Sequence, residues 1–331
     1  MVSLNQVRLA RIAALVAGLA CAAAGQTVNL DDRLEEGQQL YIQGRYSDAQ
    51  QIFGATLREA EKSQPESGTV ARILDLLGQT EHALGNYTEA ENLLNRAIAI
   101  YQRNAGADAP NAVAVERHLA ELYLQELRPA DAAPLLRRSI GVMESRANAD
   151  RADLAVGRAD LGIALGLERK YGEAERELRE ALEVLETELG PNHPKVAAVM
   201  LPLSGVLIVE HRYTEAIEPA ERAWQILQAS APHVGQPDIA AALDVLGVAY
   251  ARAGRPREGE VYLKQAVGIA EAIYQADQRQ LGYYLRNYAE VLKQLGRKNE
   301  GKTLDKRARA ILAENDRRIS TSHTVNVNAL R

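Results

Sequence analysis

The chain has 331 residues, 47% of them hydrophobic and only 5% aromatic, with a formal net charge of −5 at pH 7. That acidic balance argues against a general nucleic-acid surface, and a core of Ala, Leu, Val and Ile suits closely crossing helices better than a sheet. The one cysteine, Cys21, excludes a disulfide or multi-cysteine metal site within one chain.

In chain order, residues 1–24 read as a secretory signal. Arg8 and Arg11 precede an uncharged run from Ile12 to Ala24, which ends in small residues. The run is too short to span a bilayer, which takes ~20 residues. Cleavage after Ala22 or Ala24 satisfies the small-x-small rule, so the protein is expected to be exported, periplasmic or secreted. Gly18-Leu19-Ala20-Cys21 resembles a bacterial lipobox, with Gly18 where leucine is usual. A membrane-anchored lipoprotein lipidated at Cys21 is therefore the alternative.

From residue 31 to 317 the chain repeats with a period of about 42 residues. Two amphipathic segments meet at a short turn in each of seven copies. The turn residue is Tyr46, Tyr87, Tyr171 or Tyr213, and Arg128-Pro129, Arg255-Pro256 and Arg297-Lys298 fill the same slot elsewhere. Nine residues before it stand Gly37, Gly78, Ala120, Gly162, Ser204, Gly247 and Ala289. Three after it stand Ala49, Ala90, Ala132, Ala174, Ala216, Gly259 and Gly301. Small side chains at fixed places let neighbouring helices approach closely. A recurring helical glycine, which costs ~1 kcal/mol against alanine, needs such a packing reason.

In the fourth copy Ala174, Leu178, Ala181 and Leu185 share one helix face, and the acids between them are expected to be solvated. Pro202 falls midway along the first helix of the fifth copy, where it removes a backbone bond at ~3 kcal/mol or more. A kink is expected there rather than a late helix start. After Asn315 the period stops, and residues 318–331 read as a flexible polar tail.

Nothing in the chain argues for catalysis. Gly296–Thr303 matches the phosphate-loop expression G-x-x-x-x-G-K-T, but that loop works only between a strand and a helix. Here both glycines occupy the repeat's own columns, and a nucleotide-binding protein is the less favoured reading. The six histidines lack metal-ligand spacing. No catalytic residue, metal, cofactor or small-molecule substrate is expected.

The columns of small residues resemble the tetratricopeptide repeat. The longer period and the linker Gly190-Pro191-Asn192-His193-Pro194 are similar to its kinesin light chain type. The resemblance implies an all-α, right-handed superhelical solenoid of about seven helical hairpins. It further implies a non-catalytic scaffold that binds a peptide segment or partner protein in a concave groove lined by each first helix. Carried over by position, the second copy offers Asp75, Gln79 and His82 to that groove, and the third Arg117 and Glu121. Ile163 and Leu167 follow from the fourth copy, and Leu201 and Ile208 from the fifth. The last two copies give Val248, Arg252, Arg286 and Glu290, and Ala159 and Asp244 sit at an equivalent offset. The ends of this surface are polar and its middle is apolar. Between Lys293 and Arg318 nine Lys or Arg face four acids. That segment is expected to be a soluble cap, the alternative being docking to an acidic partner or an anionic membrane.

Overall fold

A computed structural model describes residues 29–230, 236–273 and 279–322. The expected signal segment, residues 1–24 with Cys21, and residues 323–331 lie outside the described residues. Those described form fourteen helices and no strand, grouped into two compact units, Met1–Asn104 and Ala105–Arg331.

The first unit contains α1 (Leu30–Ile42), α2 (Tyr46–Ser63), α3 (Gly68–Ala83) and α4 (Tyr87–Ala105), the last of which ends at the unit boundary. The second begins with α5 (Pro110–Gln125), α6 (Pro129–Glu144), α7 (Arg151–Leu167), α8 (Tyr171–Leu189) and α9 (Pro194–Val209). It continues with α10 (Tyr213–Ala229), α11 (Gln236–Arg252), α12 (Pro256–Ile273), α13 (Arg279–Gln294) and α14 (Lys298–Ser322). Odd-numbered helices are the first of each pair. In the second unit every helix packs on the next in sequence, the arrangement of an all-α solenoid. Second helices begin at Tyr46, Tyr87, Pro129, Tyr171, Tyr213, Pro256 and Lys298, which sets steps of 41, 42, 42, 42, 43 and 42 residues.

All seven hairpins turn in the same way. The residue two before each second helix has positive φ: Gly44, Gly85, Leu127, Arg169, His211, Gly254 and Gly296. Its N–H and the next one bond back to two carbonyls of the first helix, as in Gly44 to Tyr41 at 2.9 Å and Arg45 to Leu40 at 2.9 Å. This closure satisfies carbonyls that a helix C-terminus leaves open. The next residue is usually arginine. Arg45, Arg128, Arg212, Arg255 and Arg297 each reach an acid three residues on at 2.5–2.8 Å. Several first helices are capped by side chains instead, with Ser67 accepting from Val70 N and Asp150 from Ala152 and Asp153 N.

The small columns sit where the helices of a pair cross. A Cβ added at Gly162 would stand 2.7 Å from Leu178, and one at Gly247 would stand 2.6 Å from Leu263 and 2.9 Å from the Gly259 carbonyl. Glycine thus makes room for the large residue on the facing helix. In the fifth pair the buried Ser204 donates to the Ala216 carbonyl of the facing helix at 2.8 Å. Pro202 does not delay its helix, since α9 runs unbroken from Pro194 to Val209. At the other end α14 continues through Ser322, past the expected repeat boundary at residue 317. No described helix is long and apolar enough to cross a membrane.

Candidate partner-binding face

Within the second unit the first helices lie nearer one another than the second helices do. α5 touches α7, α7 touches α9, α9 touches α11 and α11 touches α13, while the second helices make no comparable contact among the described residues. A stack with this inequality curves with its first helices inside. The positions expected to line a groove lie twelve, eight, five and four residues before each second helix.

At its start the face is charged. Arg117 Nη1 donates to Asp153 Oδ1 at 2.5 Å, joining α5 to α7. Asp160 lies beside them, with its Oδ2 and the Arg117 Nε both buried and without a hydrogen-bond partner among the described residues. Burial, and then the charge of Glu121, push the Asp160 carboxyl up to about 7 against the pull of Arg117. Arg117 and Glu121 thus both act on Asp160, in opposite directions. Sequence reasoning missed their partners Asp160, which falls one position off the expected columns, and Asp153, which lies near the start of α7 outside them.

The centre is apolar. Ile163, Leu201 and Ile208 are half-buried, while Leu167 is 42% and Val209 50% exposed. Gly205 occupies the column that holds Glu121 and Ile163 elsewhere, and a Cβ there would meet nothing within 4 Å. The backbone of α9 is open at that point. The expectation that Ala159 lines the face is wrong, because it is 6% exposed and packed between helices.

Toward the far end Asp244 is also buried rather than presented. Its Oδ2 accepts from Asn287 Nδ2 at 2.8 Å, and its Oδ1 is buried without a hydrogen-bond partner among the described residues. Burial raises its carboxyl to about 7, opposed by Asn287 and Arg286. Asp244 thus locks two first helices together, as Arg117 does at the other end. Val248 is half-buried, and Arg252, Arg286 and Glu290 are exposed. Arg286 lies 5.0 Å over the Tyr283 ring, and Glu290 pairs with Lys293 at 3.9 Å.

In the first unit Gln79 donates to Asp75 at 3.1 Å, Arg72 reaches Asp31 at 3.9 Å, and His82 packs 6.0 Å from the Tyr87 ring. All three expected residues on α3 are half-buried.

The phosphate-loop expression falls on a hairpin turn. Gly296 is its left-handed residue, α14 starts at Lys298, and the Gly301 N–H is already bonded to the Arg297 carbonyl at 3.1 Å. A Cβ on Gly301 would stand 2.7 Å from the Ala289 carbonyl. This glycine serves helix packing, not a phosphate cradle. In the basic last repeat, Arg297, Arg307 and Arg309 are tied to Glu300, Glu271 and Asp305, whereas Lys298, Lys302 and Lys306 are exposed.

Tetratricopeptide repeat models match residues 34–103, 69–145, 154–195 and 239–279, together more than half of the chain. The chain belongs to the tetratricopeptide repeat family. Among solved structures it is similar to BtubC (BKLC) from P. vanneervenii, with 20% identity, a TM-score of 0.54 and coverage of 75% of this chain and 94% of that one. It is also similar to a Rap protein complexed with competence and sporulation factor, with 16% identity and a TM-score of 0.66 over 86% and 76% of the two chains. A third is the apo quorum sensor NprR from B. thuringiensis, with 15% identity and a TM-score of 0.65 over 93% and 84%. At these identities the likeness is one of fold. No curated protein matches the chain by sequence.

Proposed function

We propose that this protein is a non-catalytic interaction scaffold that holds a peptide segment or partner protein against its first helices. The observation that carries the reading is the apolar centre of the second unit. Leu167 and Val209 are exposed beside half-buried Ile163, Leu201 and Ile208, on the inside of a curved stack. Apolar side chains left in water on a concave face favour a ligand that covers them. The Rap structure determined with competence and sporulation factor supports the reading as a fold put to such use.

The test is capture of a partner by wild type and by Leu201→Asp and Ile208→Asp, with helicity checked by circular dichroism. Loss of capture at unchanged helicity is expected, and undiminished capture removes the inner face from the account. We further propose export to the cell envelope, on the strength of Arg8, Arg11 and the uncharged run to Ala24. The mass of the mature N-terminus separates a chain starting near Gly25 from one lipidated at Cys21.

A further inference from the structure

The inner face of the second unit has an electrical direction. At the α5–α7 end Arg117 pairs with Asp153, and Glu121 and Asp160 lie close enough together for the Glu121 charge to raise the Asp160 carboxyl, so acids are in excess over Arg117. At the α11–α13 end Arg252 and Arg286 are exposed. The nearby acids are occupied there, Asp244 with Asn287 and Glu290 with Lys293. Between the two ends α9 presents Leu201, Ile208 and the open backbone at Gly205. Acid at one end, apolar in the middle and cation at the other is complementary to a segment of the reverse order.

We propose that this face takes an extended segment of a partner protein carrying a basic residue over Glu121 and Asp153, apolar residues over α9, and an acidic residue over Arg252 and Arg286. The inference rests on the binding function proposed above and adds polarity and spacing to it. Three first-helix steps at about 9 Å each put the charged ends ~27 Å apart, which an extended chain crosses in about eight residues. Opposite charges at both ends fix which way the segment lies, since the reversed segment meets like charges.

A phage-displayed library of random dodecapeptides, selected on the whole chain and counter-selected on Leu201→Asp/Ile208→Asp, tests it. Enriched peptides should carry Lys or Arg about eight residues from Asp or Glu, with apolar residues between. For such a peptide, Glu121→Gln/Asp153→Asn should weaken binding about fivefold, and the loss should vanish once the peptide's basic residue is replaced by Gln. Enriched peptides that are apolar or evenly charged overturn the polarity and leave the binding face standing. Failure to enrich any peptide overturns both. Self-association that Leu201→Asp abolishes, or blockage by a synthetic peptide of residues 318–331, names a different occupant and also overturns the proposal.

Discussion

Leu127, Arg169 and His211 stand where the other four hairpins use glycine, each with φ between 57° and 64°. An L-residue in that conformation pays ~1–2 kcal/mol because its Cβ crowds the backbone. The repeat nevertheless closes with the same pair of backbone bonds, so the strain is borne locally. At Leu127 little offsets it, because the side chain is 50% exposed. His211 differs, since its Nδ1 lies 2.5 Å from the Tyr213 hydroxyl. Leu127→Gly is therefore expected to stabilise the protein by about 1 kcal/mol after the added entropy of an unfolded glycine is deducted. His211→Gly should gain less. Urea unfolding of the two variants checks the order, and a Leu127→Gly chain weaker than wild type contradicts it.

At the scale of the helix, α9 shows what sequence can and cannot deliver. Its existence follows from the apolar run after the His193-Pro194 start, and its depth in the stack follows from the Ser204 column. That it would pass through Pro202 unbroken was not readable from propensity. Ser204 bonded to the facing helix, with α8 and α10 packed on either side, holds the helix together where the proline removes one bond. The polar half of the candidate site was less legible still. The column read as groove-facing holds both Arg117 and Asp244, and both are engaged in contacts between first helices, Asp244 buried there rather than presented. First helices meet off register, so a residue twelve before one second helix faces a residue eleven before the next. Arg117 thus meets Asp160, and Asp244 meets Asn287. No periodicity within one repeat contains that offset.

Gly205 gives α9 a measurable tension between stability and function. It sits in the helix interior with open space around its Cα. Gly205→Ala should raise stability by up to about 1 kcal/mol through helix propensity alone. The added methyl projects into the space where the proposed segment crosses α9, so partner capture should weaken. A variant that is more stable and captures equally well would place the segment elsewhere.

For the whole molecule, two acids with raised carboxyls, half-buried Asp160 and buried Asp244, set the response to pH. Asp160 and Asp244 both have carboxyls raised to about 7. In the unfolded chain they ionise near 3.8, so between these values the folded protein binds more protons than the unfolded one. Stability then falls as pH rises, by at most about 1.4 kcal/mol per pH unit for each acid, and the loss levels off above pH ~7. Glu175, Glu215, Glu258, Glu300 and Asp305 have lowered carboxyls through their basic partners and push the opposite way, toward lower stability in acid. All five stay ionised above pH 5 in both the folded and the unfolded chain, so they add little slope between pH 5 and 8. Asp160 and Asp244 should therefore dominate between pH 5 and 8. Arg117 and Arg286 oppose the effect of burial without overcoming it, and both carboxyls stay raised. The melting temperature is expected to drop from pH 5 to pH 8 in wild type. Asp244→Asn, which stays neutral and can still pair with Asn287, should flatten that slope and melt higher than wild type at pH 8. At pH 5, where Asp244 already carries its proton, the two chains should melt close together. A wild-type melting temperature that climbs over this interval would show that neither acid holds its proton in the folded protein, and an Asp244→Asn chain with an unchanged slope would show that Asp244 does not.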